Sequence, residues 1–112
     1  ADDAKKSLDK GEIVPSVNPN TVCDGLLTSL GELNFNYISK YVDDIWLATD
    51  SEIIAAMRLI YERMKIVVEP SSAVTLATLI RNKATAKGKK LGVIISGGNV
   101  DMSGLFDRFT NI

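Results

Sequence analysis

Ser96, Gly97, Gly98 and Asn99 follow directly on a short apolar run, Leu91 to Ile95. In an open α/β sheet, ligands bind where the chain leaves the carboxyl end of a strand. A hydroxyl, two glycines and an amide at such a point form a ligand loop or, on the plainer reading, a tight Ser-Gly turn. Glu69 stands between another apolar run and Pro70. A glutamate there either caps the helix that starts at the proline or reaches into a cleft and sets the protonation of a bound ligand. Asp24-Gly25 is a turn signal. Asp2 and Asp3 suit a solvated helix start, where carboxylates favour the exposed N–H groups, or, with backbone carbonyls, a hard cation. Cys23 is the single cysteine and reads as a small core residue.

Composition narrows the chemistry. The chain has 112 residues, 13 basic and 14 acidic side chains, and no histidine. Zinc sites built on histidine and Ser-His or Cys-His catalysis are therefore ruled out within these residues. A lone cysteine gives neither a disulfide framework nor a thiolate metal site. Only Lys87, Lys89 and Lys90 cluster, which suits a solvated loop better than a nucleic-acid surface. No stretch is long and apolar enough for a membrane span, and no signal peptide is visible in these residues.

The elements that must position these residues follow from spacing. Ala1 to Lys10 has helix-compatible composition, with Ala4 and Leu8 as apolar anchors and Gly11 as the C-cap. Pro15 and Pro19 make residues 11–21 a loop, which Val14 and Val17 could anchor. Residues 21–30 form a short helix or an irregular segment. Asn36 to Val42 is a short helix with Tyr37, Ile38 and Tyr41 on one side, closed by Asp43-Asp44. Ile45 to Ala48 is an apolar strand. Thr49-x-x-Glu52 is a capping box that opens a long helix, in which Ile53, Met57, Ile60 and Met64 recur at helical spacing, flanked by Ile54 and Tyr61. Ile66 to Val68 is a brief apolar run.

Pro70 suits the first position of another helix, running to about Lys83, with Ala73, Leu76, Ala77 and Ile80 on its packing face. Leu91 to Ile95 lacks polar alternation and reads as a buried parallel strand. Asp101 caps a last helix, to about Phe109, with Leu105, Phe106 and Phe109 inward. The order strand, helix, helix, strand, helix points to a parallel α/β layer. Two strands are not an independent sheet, so the expected architecture is an incomplete parallel sheet with helices. The opening ADDAKKSLDKG and this shortage of strands predict a segment of a larger protein.

Five patches together carry a resemblance: ADD at 1–3, TVCDG at 21–25, VDDIWLATDSEI at 42–53, YERMKIVVEP at 61–70 and SGGNVD at 96–101. In this order and spacing the chain resembles the C-terminal third of the fold-type II pyridoxal-phosphate enzymes. The branch of serine racemase is nearest, with threonine dehydratase and threo-3-hydroxyaspartate dehydratase beside it. The resemblance implies that residues 1–112 are the C-terminal part of the large cofactor domain. It implies that Ser96 bonds the pyridine nitrogen of pyridoxal phosphate, that Gly25 passes close to the cofactor, and that Glu69 and Gly97 belong to its pocket. Ala1, through its carbonyl, and Asp3, through its carboxylate, match part of a Mg2+ or Ca2+ site. Lys65 and Asn99 resemble residues of a nucleotide effector site, with ATP as the effector.

The Schiff-base lysine, the glycine-rich phosphate cup and the acid–base serine belong to the N-terminal portion in this family. None of them falls in this sequence, so no catalytic residue is expected here and the segment alone is expected to be inactive. The implied activity is that of a cytoplasmic homodimer acting on serine or a related hydroxyamino acid, by racemisation or by dehydration to an oxoacid and ammonia. A non-catalytic regulatory or interaction domain of similar α/β fold is the reading from another class.

Overall fold

The computed structural model describes residues 1–110, with the Phe106 side chain outside that description. Its described residues form helices α1 (Asp3–Lys10), α2 (Glu32–Tyr41), α3 (Asp50–Met64), α4 (Pro70–Arg81), α5 (Lys83–Ala86) and α6 (Leu105–Thr110), with a 3-10 turn at Asp24–Leu26. They divide into two compact units, residues 1–47 and 48–112.

In the first unit α1 packs on α2. Gly11 ends α1 in the left-handed conformation, φ 76°, and its N–H reaches the Ser7 carbonyl at 2.9 Å, as the C-cap reading requires. The buried face of α1 is not Ala4 and Leu8, which are only half-covered, but Asp3 and Ser7. The Ser7 hydroxyl donates to the Asp3 carbonyl at 2.6 Å and accepts the Val14 N–H at 2.9 Å. A hydrogen-bonded staple thus occupies the place where apolar anchors were expected. Val14 is half-buried by this bond, while Val17 stands exposed and anchors nothing.

Cys23 is buried, as a small core residue should be. Helix α2 starts at Glu32, four residues before the expected Asn36. Its Tyr37 and Tyr41 share one side, as expected, stacked on each other with centroids 6.0 Å apart, and that side is solvated apart from Ile38. Asp44 gathers donors rather than closing α2. It accepts from Lys5 Nζ at 2.9 Å, from the Ile45 N–H at 2.8 Å and from Trp46 Nε1 at 3.0 Å.

In the second unit the capping box is formed. Thr49 Oγ1 accepts the Glu52 N–H at 3.3 Å, and Glu52 Oε2 accepts the Thr49 N–H at 2.7 Å. Ile53, Ile54, Ala56, Met57 and Ile60 of α3 are buried against α4 and α6. Met64, in the last turn, is exposed instead. Pro70 opens α4 at its first position. Ser72, Ala73, Ala77 and Thr78 make its buried stripe, with Leu76 half-covered and Ile80 exposed. Small side chains let the helix backbones approach, and the larger ones fall to the flank.

Helix α6 begins four residues after Asp101. The Asp101 carboxylate instead accepts the Ser103 N–H at 2.9 Å and its hydroxyl at 2.6 Å, closing a turn ahead of the helix. Leu105 and Phe109 are buried as expected, and the expectation for Phe106 lies outside the described side chains.

The expected strands are absent among the described residues. Leu91 to Ile95 carries no regular secondary structure and is exposed, with Ile94 at 76% of its free area, and Trp46 and Leu47 are exposed likewise. A strand exists only through its ladder partners, and these segments find none here. One backbone bond, from the Glu69 N–H to the Gly97 carbonyl at 3.1 Å, joins the segments before α4 and after Ile95.

Candidate functional site

The second unit brings Glu69 and Ser96 to Asn99 together. Pro70 fixes the chain direction at the start of α4, and the Glu69 carbonyl accepts the first helical N–H groups, from Ser72 and Ala73, both at 3.1 Å. Glu69 therefore caps with its backbone. Its carboxylate makes no helix cap. Oε1 takes the Ser71 hydroxyl at 2.6 Å and Oε2 takes the Asn99 N–H at 3.1 Å. Of the two readings of Glu69, the side-chain cap is not formed, and the carboxylate ties down the loop after Ile95.

The glycines make that approach possible. A Cβ on Gly97 would stand 2.9 Å from Glu69 Oε2. A Cβ on Gly98 would stand 2.6 Å from the Val67 carbonyl oxygen. The first conflict is with the end of a flexible side chain and could be eased. The second is with backbone and could not, so Gly98 is the stricter requirement.

Ser96 is held by its backbone and open at its side chain. Its N–H donates to Ser72 Oγ at 2.9 Å. Its hydroxyl is exposed, with no partner among the described residues. Thr75 Oγ1 lies 3.0 Å from the Ser72 carbonyl and 3.3 Å from the Ile94 carbonyl, and its one proton serves one of them at a time. Ser71, Ser72 and Thr75 were not singled out in the sequence. The signal that could have found them is three hydroxyl residues within six positions of a helix start that Pro70 marks.

Lys65 lies in the same unit, at the end of α3, in the left-handed conformation with φ 59°. Its ammonium donates to the Glu62 carbonyl at 2.7 Å, satisfying an orphan helix carbonyl. Gly25, Ala1 and Asp3 lie in the first unit. Gly25 sits exposed in the 3-10 turn, its N–H bonded to Asp24 Oδ1 at 2.8 Å. Ala1 is exposed and Asp3 is 7% exposed on the first turn of α1. Among the described residues no group of three or more His, Cys, Asp or Glu side chains could hold a metal ion.

Residues 1–97 match the family described as Pyridoxal-phosphate dependent enzyme. The chain belongs to the pyridoxal-phosphate-dependent enzymes. Serine racemase of Dictyostelium discoideum is 50% identical over 109 residues, covering 94% of this chain and 34% of that protein. Beta-hydroxyaspartate dehydratase of Paracoccus denitrificans (strain Pd 1222) is 47% identical over 105 residues, covering 94% of this chain and 33% of that protein. The crystal structure of the Dictyostelium discoideum racemase superposes with a TM-score of 0.83 over 91% of this chain and 33% of its own. The chain thus spans about a third of the length of the curated relatives it matches. This places the helices and extended segments in the fold-type II architecture expected from the sequence, with its sheet not formed among the described residues. No described helix of this family member is long and apolar enough to cross a membrane.

Proposed function

We propose that residues 1–112 are the C-terminal portion of the large cofactor domain of a pyridoxal-phosphate-dependent serine racemase or hydroxyamino-acid dehydratase. The observation that carries the reading is Ser96: a hydroxyl left open on a loop that α4 and Glu69 hold in place. What pyridoxal phosphate supplies when bound is an electron sink at the α-carbon, from which either racemisation or loss of the β-hydroxyl can follow. Ser96 supplies a neutral hydrogen-bonding group for the pyridine nitrogen, which, unlike a carboxylate, does not force that nitrogen to stay protonated. Glu69 contributes by holding Asn99 and by closing against Gly97, where an added side chain would push the carboxylate aside. Gly25 offers bare backbone at the second place where the chain would pass the cofactor.

The substrate is a hydroxyamino acid, serine first and threo-3-hydroxyaspartate as the alternative, and the beta-hydroxyaspartate dehydratase of Paracoccus denitrificans supports a hydroxyaspartate as a candidate of that kind. Ala1 and Asp3 would give a carbonyl and a carboxylate to Mg2+ or Ca2+. Two such donors are short of the six or more that these cations take, so the rest must come from water and from the remainder of the parent chain. Lys65 and Asn99 would contribute to a nucleotide site for ATP. The parent is proposed as a cytoplasmic homodimer whose lysine, phosphate cup and acid–base serine lie outside these residues.

The test uses the parent protein reconstituted with pyridoxal phosphate, with D-serine, oxoacid and ammonia followed together. Ser96→Ala removes a hydrogen bond whose loss typically costs about 1–3 kcal/mol, or roughly 5- to 150-fold in cofactor affinity. Ser96→Asp should favour a protonated ring and shift the ratio of racemised to dehydrated product. Unchanged cofactor spectrum, affinity and product ratio in both variants would sink the assignment.

A further inference from the structure

Ser72 stands at the third position of α4 and is 1% exposed. Its own N–H is already satisfied by the Glu69 carbonyl at 3.1 Å. Its hydroxyl oxygen therefore serves another segment, and accepts the Ser96 N–H at 2.9 Å across 24 positions of sequence. This contact falls on the Ile95–Ser96 peptide, one of the two that flank the Cα carrying the open Ser96 side chain. The neighbouring bonds hold other points of the loop: the Glu69 N–H to the Gly97 carbonyl, and the Asn99 N–H to Glu69 Oε2, both at 3.1 Å. Those two bonds set where residues 97–99 lie. Neither bonds the Ile95–Ser96 peptide, whose plane, together with the side-chain rotamer, sets the direction of Ser96 Oγ.

We infer that Ser72 is a positioning residue, whose hydroxyl fixes the Ser96 peptide and so aims the Ser96 side chain at the ring nitrogen of the cofactor. The inference deepens the proposed function and rests on the role given there to Ser96. Ser72 itself does not touch the ring; it acts through Ser96. A buried hydroxyl is an effective anchor for this purpose, because Ser72 is held in place at the start of α4 and meets the Ser96 N–H in a partly buried bond, where an unpaired N–H is costly. It also divides the labour in the loop: glutamate and glycine give closeness, and the serine pair gives direction.

The test compares the parent protein as wild type, Ser72→Ala, Ser96→Ala and the double variant. Ser72→Ala removes one oxygen without adding bulk, so the packing of α4 is kept. Three readouts are taken: amide exchange at Ser96 in the cofactor-free protein, the dissociation constant for pyridoxal phosphate, and the visible band of the bound cofactor. Ser72→Ala should speed exchange at Ser96 about 10-fold and weaken cofactor binding about 3- to 10-fold. It should move the cofactor band in the same direction as Ser96→Ala, by less. The double variant should match Ser96→Ala in affinity and band, since a positioning residue has no effect once its target is gone. Independent, multiplying effects in the double variant would overturn the inference. So would an unchanged band and affinity in Ser72→Ala while Ser96→Ala alters both. If Ser96→Ala itself changes neither, the role of Ser96 fails first, and the inference falls with it.

Discussion

The two units hold themselves together by different means. In residues 48–112 the buried side chains are mostly apolar: Ile53, Ile54, Met57 and Ile60 of α3, Ala73 and Ala77 of α4, Leu105 and Phe109 of α6. In residues 1–47 the described buried residues are Asp3, Ser7 and Cys23. There, a buried hydrogen-bonded contact with exposed ion pairs beside it stands where packed apolar side chains stand in the second unit. Lys5 bridges Asp9 and Asp44, and Ser7 joins α1 to Val14. Leu33, Tyr37 and Tyr41 of α2 stay outside. The contrast teaches that a periodic apolar pattern becomes a core only where a second element presents a matching face. Helix α3 has α4 and α6; the outer face of α2 has no such cover among the described residues.

Several substitutions in the parent protein would break or sharpen this contrast. The largest effect is expected at Met57, which is fully buried. Met57→Ala should cost about 2–5 kcal/mol through lost transfer energy and a residual cavity. Leu33→Ala, at an exposed site of α2, should stay within about 0.5 kcal/mol. Urea denaturation of both variants measures the difference. Equal losses would mean that the two units do not differ in the way described.

A smaller effect is expected at Ser7, where the first unit depends on polar contacts. Ser7→Ala would leave the buried end of the Val14 N–H without its acceptor. The cost should be about 1–3 kcal/mol, read as a lowered melting temperature. A neutral result would show that the staple is incidental to the first unit.

The smallest effect concerns pH. Glu52 has its pKa lowered, first by the Thr49 N–H, then by the Thr49 hydroxyl, with Arg81 adding to it. A carboxylate with a folded-state pKa below its unfolded value contributes stability that is present above the unfolded value. That contribution is lost as pH falls through the lowered folded value. Wild type should therefore lose melting temperature on acidification below the ordinary glutamate range by more than Glu52→Gln does. The same comparison in the first unit uses Asp44→Asn, since Lys5 lowers the Asp44 pKa before any other group. Both carboxylates are exposed, so each difference should be small and should shrink in high salt. A Glu52→Gln profile that parallels wild type through the acid limb would remove the capping box from the pH response.

Much of the helical frame was legible in the residues. The capping box at Thr49, the proline opening of α4 and the glycine end of α1 all form where the pattern put them. The errors have a common cause. Leu91 to Ile95 was read as a buried strand because it is apolar and does not alternate. Burial and ladder bonds come from partners that a local pattern does not specify. The start of α2 was placed late because Glu32 and Leu33 carry no capping signature, and Gly31 makes no side-chain cap. In the site, Glu69, Ser96 and Gly97 were visible as types in context, whereas Ser71, Ser72 and Thr75 were ordinary hydroxyl residues until their partners were known.

What the sequence determined by itself is what nearest neighbours decide. A threonine three residues before a glutamate closes a box, and a proline cannot sit far inside a helix but starts one well. A glycine tolerates the left-handed turn that ends α1. Each is settled within about one helical turn, where the reacting groups are already covalently close. Only the tertiary structure decided that the Glu69 carboxylate turns away from its own helix to the Asn99 N–H, 30 residues on. It also decided that Ser72 takes the Ser96 N–H, and that Gly98 runs against the Val67 carbonyl. Those contacts join segments 24 to 31 positions apart. They need both α4 packed on α3, which holds the first turn of α4, and the bare glycines of the loop, which let the returning chain come close, so no residue decides them alone.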